Sequence, residues 1–161
     1  MNLFLLRHGE AESSATSNDG RQLTEAGYKE ISSVAKQFAT LNLKIDRCFV
    51  SPSLRAQQTA KTFLSLIFDA PEALTLDLLS PNQRAAQTIE FLGNSANENI
   101  LLVSHNPLLS ELLALVTKGN VDDLLILETG NLACIALDIV GLGMGTCPFI
   151  LTPDPAKALS S

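Results

Sequence analysis

Three short apolar runs constrain what this chain can fold into. Residues 2–6, 48–50 and 100–103 are nearly uniform in apolar character, and each breaks off in a polar turn: Arg7-His8-Gly9, Ser51-Pro52-Ser53 and Ser104-His105-Asn106-Pro107. Continuous apolar runs of this length, closed by turn signals, read as strands buried on both faces. An amphipathic stretch follows each. Ile31, Val34, Ala35 and Phe38 recur at helical spacing behind Thr24 as N-cap, a helix over 54–68 starts at Pro52 and Ser53, and helical spacing resumes over 108–116. Between the second and third units, residues 74–79 read as extended and 82–92 as a helix, with a pause at Gly93-Asn94-Ser95. Residues 132–139 and 148–152 read as strands joined through a glycine-rich turn at 141–145 and able to pair, and 153–161 as a frayed tail. Strands alternating with helices predict a three-layer α/β/α sandwich with right-handed crossovers and a mostly parallel central sheet.

A length of 161 residues suits one domain over 1–161, and no repeat or linker divides it. Hydrophobic residues make up 46% and aromatics only 5%, so the interior is aliphatic. The net charge of −6 offers no general attraction to nucleic acid or to anionic lipid, so a bound anion has to be held by a local concentration of positive groups. Cys48, Cys134 and Cys147 are odd in number and lack CxxC or zinc-like spacing. Neither a disulfide framework nor a structural metal site is expected, and reduced thiols imply the cytoplasm. Only six residues precede Arg7-His8-Gly9, too few for the apolar core of a secretory signal, and no run of 18 apolar residues follows, so neither secretion nor membrane spanning is expected.

In open α/β sheets ligands collect beyond the carboxyl ends of the strands. The three polar turns all fall there, the second continuing through Leu54 to Arg55, and they bring both histidines of the chain, His8 and His105, together with Arg7 and Arg55. A lone histidine at a strand end reads first as a structural residue; two of them, converging with two arginines, do not. Guanidinium donors match a phosphate bidentately, and neutral imidazole is a competent nucleophile near pH 7. The set points to metal-free phosphoryl transfer to a histidine nitrogen, with arginines neutralising the equatorial oxygens. The arginines should hold the imidazole pKa down and keep the ring unprotonated. Ser104 has no GxSxG elbow around it, which argues against a serine hydrolase.

Leu6-Arg7-His8-Gly9-Glu10 resembles the RHG signature of the histidine phosphatase superfamily, which includes the phosphoglycerate mutases. Leu23-Thr24-Glu25-Ala26-Gly27 is similar to that family's LTxxG helix start, and residues 51–60, SPSLRAQQTA, to its SPxxRAxQTA stretch. With Ser104-His105-Asn106-Pro107, order and spacing agree over about the first 120 residues. The resemblance implies a phosphoglycerate mutase-like fold, a transiently phosphorylated His8, Arg7 and Arg55 gripping the phosphoryl group, and His105 hydrogen-bonded to it. No cofactor is implied. Arg21 resembles an additional arginine of the SixA-type phosphohistidine phosphatases, placed to reach the phosphate or the substrate's surface.

Larger relatives carry an insertion that caps the pocket and supplies a glutamate as general acid. Here only an extended segment and a helix fit between the Arg55 helix and the strand at Ile100. The resemblance therefore implies a minimal fold without a large cap, an open site, and a substrate whose P–N bond asks little of an acid. That substrate is phosphohistidine on a protein, such as a histidine-containing phosphotransfer domain or a phosphocarrier. Glu10 and Asp77 are the carboxylates nearest to positions where a family acid would sit, and either could assist water. Two rivals differ in what they require: a phosphatase or mutase acting on a small phosphorylated metabolite needs a capped pocket, and a binding module without turnover has no use for the full set of four residues.

Overall fold

The computed structural model describes residues 1–13, 19–93 and 99–160. Parts of the serine-rich loop over 11–22 and of the pause at 93–95 lie outside them. The chain alternates as the apolar runs predict: β1 (Asn2–Arg7), α1 (Glu25–Thr40), β2 (Arg47–Val50), α2 (Leu54–Leu64), β3 (Ala73–Thr75), α3 (Ala85–Leu92), β4 (Ile100–Ser104) and α4 (Leu108–Lys118). The last three strands, β5 (Leu132–Leu137), β6 (Gly145–Leu151) and β7 (Leu159–Ser160), follow without an intervening α-helix.

The sheet order is β3-β2-β4-β1-β5-β6-β7. β3, β2, β4 and β1 are mutually parallel, with Leu5 opposite Leu102 and Phe49 opposite the same residue from the other side. β5 closes the far edge of β1 antiparallel, and β6 and β7 continue antiparallel from it. Only β5 and β7 thus run against the other strands, so the sheet is mostly parallel in direction, and β1 and β4 lie side by side within it. Their carboxyl ends deliver His8 and His105 to one edge.

Side chains on successive strand residues point to opposite faces, and the two halves of the core divide accordingly. Leu3 and Leu5 of β1 join Ile100 and Leu102 of β4 in a cluster with Leu109, Leu112 and Val116 of α4. Phe4 and Leu6 join Leu101 and Val103 on the other face, against Ile31, Val34 and Phe38 of α1 and Phe63 of α2. Phe38 stands edge-on to both Phe4 and Phe63, with ring centroids 4.9 and 5.5 Å apart. Helices therefore cover both faces and complete the three layers.

Element ends differ from the sequence reading for local reasons. α3 begins at Ala85 rather than near 82, because Asn82 sits at φ +69°, outside helical space. α2 stops at Leu64, where the chain tightens into turns closed by Leu66 N–H to the Phe63 carbonyl and Ile67 N–H to that of Leu64. The tail is not frayed over its described length. Asp154 caps a 3-10 turn at Pro155–Lys157, and Leu159 pairs with Ile150, giving the otherwise exposed edge of β6 a partner. Between α2 and β4 the described chain holds only β3, a 3-10 turn at Asp77–Leu79 and α3, so no cap is built there.

Two glycines set the spacing at the carboxyl end of β1. A Cβ at Gly9 would lie 2.7 Å from the Gly27 carbonyl oxygen, and one at Gly27 would lie 2.1 Å from that of Glu10. The first turn of α1 is thus packed backbone to backbone against the loop after β1, which is why the LTEAG stretch ends in glycine. Thr24 caps this helix as predicted, accepting the Gly27 N–H at 3.1 Å. Gly27→Ala is expected to cost about 3 kcal/mol or more through backbone displacement, whereas Ala26→Gly, on the exposed side of the same turn, should cost about 1 kcal/mol; urea unfolding followed by circular dichroism measures both.

Candidate active site

His8 stands immediately beyond β1. Its backbone is held on both sides, the N–H by the Ser104 carbonyl at 3.1 Å and the carbonyl by the Gly130 N–H at 3.2 Å. The ring is held just as closely. Nδ1 lies 2.8 Å from the Gly9 carbonyl oxygen, which can only accept, so Nδ1 carries the proton. Nε2 is therefore the lone-pair nitrogen, and it accepts from Nε of Arg55 at 3.2 Å. One nitrogen is locked as donor and the other exposed as base, beside a permanent cation.

Arg55 is in the first turn of α2 and only 4% exposed. The rest of its motif braces the site. Thr59, one turn on, donates to the Arg55 carbonyl at 2.8 Å and accepts the Gly9 N–H at 3.2 Å, which ties α2 to the loop carrying His8. Gln58 accepts the Leu23 N–H at 2.8 Å, and Gln57 donates to the Ser51 carbonyl at 2.7 Å. Ala56 and Ala60 are buried, and their small side chains let the helix lie close to the sheet.

Arg7, the last residue of β1, donates an Nη hydrogen bond to the Leu127 carbonyl at 2.7 Å, and its buried Nε has no protein partner among the described residues. The same carbonyl accepts from the Asn106 side chain at 2.7 Å, and Ser110 accepts the Leu127 N–H at 3.0 Å. His105 is 3% exposed, and its ring centroid lies 5.0 Å from that of His8. Its Nε2 is 2.8 Å from the Ser51 hydroxyl and 3.1 Å from that of Ser53, while its Nδ1 is buried without a partner among the described residues. The structure thus brings His8, Arg55 and His105 together with Arg7 at adjacent strand ends.

Arg21 is anchored to the Ala11 and Glu12 carbonyls, close enough for its charge to act on both His8 and Arg55. Glu10 and Asp77 are placed otherwise. Both are exposed; the Glu10 carboxylate accepts from the Thr24 hydroxyl at 2.6 Å, and Asp77 opens the 3-10 turn after β3. Neither is hydrogen-bonded to His8, Arg7 or His105. Among the described residues no group of three or more His, Cys, Asp or Glu side chains is set to hold a metal ion.

Ser51, Ser53, Thr59 and Glu30 join the site although the sequence marks Ser51 only as part of a turn closing a strand, Ser53 as a helix-start signal, and Thr59 and Glu30 as no site residue at all. The carboxylate of Glu30 accepts the Glu10 N–H at 2.7 Å and the Thr129 hydroxyl at 3.2 Å, joining the His8 loop to the segment that Arg7 holds. Ser51 and Ser53 were visible as the polar residues flanking Pro52 at a strand end. Glu30 left no signal, because it sits on an ordinary amphipathic helix 20 residues from its partner.

Burial dominates the electrostatics. It pushes His8 down from the usual 6.5 to about 4, against the Gly9 carbonyl and with the help of Arg55, Arg7 and Arg21. Burial also lowers His105, to about 3, aided by His8, Arg55 and Arg7. Both rings are neutral at physiological pH. Burial lowers the Arg7 pKa too, opposed by Glu128 and Glu30.

A model of the histidine phosphatase superfamily (branch 1) matches residues 3–72. The phosphohistidine phosphatase SixA of Escherichia coli K12 is 31% identical over 146 residues, covering 89% of each chain. The chain belongs to the histidine phosphatase superfamily. A SixA homolog of Haemophilus influenzae is 34% identical over 125 residues, 71% of this chain and 76% of its own. The structure of a protein histidine phosphatase SixA complexed with tungstate superposes with a TM-score of 0.87 at 29% identity, covering 98% of this chain and 100% of that one. The superfamily fold is thus matched over almost its whole length, including the strands that follow α4.

The depressed histidines couple stability to pH. Because both folded pKa values lie below the unfolded value of about 6.5, the unfolded chain binds protons first as pH falls. Their contribution is complete above pH 6.5 and is lost progressively down to about 4 for His8 and about 3 for His105. At about 1.4 kcal/mol per pKa unit, His8 alone accounts for a decline on the order of 3 kcal/mol. Unfolding free energy from urea titrations between pH 7 and 4 should fall less steeply in His8→Asn than in the wild type.

Proposed function

We propose that this chain is a protein phosphohistidine phosphatase acting through a covalent phospho-His8 intermediate. The observation that carries the reading is the state of the His8 ring: neutral, with its proton committed to the Gly9 carbonyl and its Nε2 lone pair beside Arg55. In the first step Nε2 attacks phosphorus and the P–N bond to the substrate imidazole breaks. The bonding pair returns to the substrate nitrogen, which takes up a proton. Arg7, Arg55 and His105 act on the non-bridging oxygens, where charge gathers in the transition state. In the second step water attacks phospho-His8, inorganic phosphate leaves, and the lone pair is restored to Nε2.

A protonated imidazole is a good leaving group, so no step is assigned to Glu10 or Asp77. Among the described residues no cap is built between α2 and β4, which supports a protein-borne substrate, because a phosphohistidine on a folded partner has to reach the site on a short side chain. Histidine-containing phosphotransfer domains and phosphocarriers present the group that way, and the relatives of Escherichia coli and Haemophilus influenzae are both named for phosphohistidine. Arg21, held at the mouth of the loop beside Arg55, is given the role of meeting the phosphoryl group or the partner's surface. A cytoplasmic location fits the three free thiols: burial holds those of Cys48 and Cys134 up at about 12, where they are poorly reactive. No described helix is long and apolar enough to cross a membrane.

Incubation with a phosphorylated phosphotransfer domain should label His8, giving an acid-labile phosphoenzyme that decays when the donor is consumed. His8→Ala should lower turnover by at least about 1,000-fold and abolish labelling, and Arg55→Gln should lower kcat about 100-fold. Equal hydrolysis by His8→Ala would overturn the mechanism. Under the same conditions a phosphoserine peptide and sugar phosphates should be turned over far more slowly than the phosphohistidine protein; preference for a sugar phosphate would overturn the substrate.

A further inference from the structure

Ser53 occupies the N-cap position of α2, yet its side chain makes no capping hydrogen bond. An N-cap serine ordinarily stabilises its helix by about 1 kcal/mol through such a bond. Here the hydroxyl lies 3.1 Å from Nε2 of His105 instead, and the hydroxyl of Ser51, two residues before, lies 2.8 Å from the same atom. Ser51 and Ser53 are fully buried and His105 nearly so, so no bulk water competes. Ser51 Oγ already accepts the Ser53 N–H at 3.3 Å. Its one proton has two acceptors within reach, Nε2 of His105 at 2.8 Å and the Ser53 hydroxyl at 3.5 Å, and the ring nitrogen is the nearer.

The other nitrogen of His105, Nδ1, is buried and has no partner among the described residues. A neutral imidazole carries one proton, and the nitrogen that accepts from a hydroxyl is the one without it. If Nε2 held the proton, Nδ1 would present a lone pair, which repels a phosphoryl oxygen. If a serine donates to Nε2, Nδ1 carries an N–H, which such an oxygen can accept.

We infer that Ser51 and Ser53 are positioning residues that fix His105 in its Nδ1–H tautomer, so that this N–H donates to a phosphoryl oxygen. The inference rests on the phosphatase reading for the identity of the oxyanion, and the choice of tautomer on the N–H that this oxyanion requires at Nδ1, with both serine hydroxyls within reach of Nε2. Ser51 is the principal donor, being closer and oriented by the Ser53 N–H. Ser53 supplies that orientation and a second hydroxyl. The sequence SPS therefore serves the ring on the neighbouring strand more than the helix it precedes.

Nitrogen-15 labelling of histidine tests this directly, because the chain has only two histidines and His8→Ala identifies the remaining ring as His105. In the wild type, His105 should show a protonated Nδ1 and an unprotonated Nε2, and inorganic phosphate should perturb the Nδ1–H signal. An Nε2–H form in the wild type would overturn the inference whether or not any variant folds. In Ser51→Ala/Ser53→Ala the two tautomers should become mixed, with kcat on phosphohistidine protein reduced about 10-fold and KM within about twofold; Ser51→Thr, which keeps the hydroxyl, should retain the wild-type tautomer. A folded double variant with an unchanged tautomer and kcat would show that the serines only fill space, and would overturn the inference as well. Turnover does not enter the spectra, so a chain that hydrolyses no phosphohistidine but shows Nδ1–H on His105 would refute the phosphatase reading and leave the positioning role standing.

Discussion

The close approach of two backbones at Gly9 and Gly27 is the constraint on which the site depends. It places the first turn of α1 directly behind the loop that follows β1, at a separation no side chain permits. The Gly9 carbonyl is the acceptor that fixes the His8 ring, and the Gly9 amide is held by Thr59 from α2. One residue without a side chain thus connects the central strand and two helices to the orientation of the imidazole. Glu30, one turn beyond Gly27, extends the same brace to the segment preceding β5. The imidazole is oriented by the fold, with no freedom left to the side chain alone.

Against that geometry the electrostatics become intelligible. An acidic protein concentrates Arg7, Arg55 and Arg21 around two uncharged rings, and desolvation acts in the same direction as those cations. Neutrality at His8 is therefore secured twice, by burial and by charge. The exposed carboxylates Glu10 and Asp77 stand outside this arrangement, and that of Glu10 accepts from the hydroxyl of Thr24, the residue that caps α1. Acidic groups on the periphery and basic groups within are a distribution that net charge alone could not reveal.

What the sequence made legible follows from how local each signal was. The parallel strands could be read because residues 2–6 and 100–103 are buried on both faces, leaving continuous apolar runs. His8, Arg7 and His105 could be read because each stands where such a run closes, and Arg55 because it follows the second run's closing turn at the start of a helix. Helix ends were less legible: the left-handed conformation of Asn82 and the turns after Leu64 arise from chain geometry that periodicity does not encode. The pairing of the tail with β6 escaped notice because a two-residue strand has no pattern of its own. The bonds from Ser51 to His105 and from Glu30 to the Glu10 amide join residues 54 and 20 positions apart. Contacts of that kind exist only once the sheet order is set.

Among the described residues, Arg7 Nε, His105 Nδ1 and Thr88 Oγ1 are the buried side-chain nitrogens and oxygens without a partner. Two of the three belong to the site. A buried polar atom left unsatisfied costs about 1–3 kcal/mol, so these two atoms are where a bound acceptor is worth most. An oxyanion that meets them binds the folded chain and not the unfolded one, and the melting temperature should climb with phosphate concentration by ordinary linkage. In this protein, readiness for a ligand and thermal robustness draw on the same atoms.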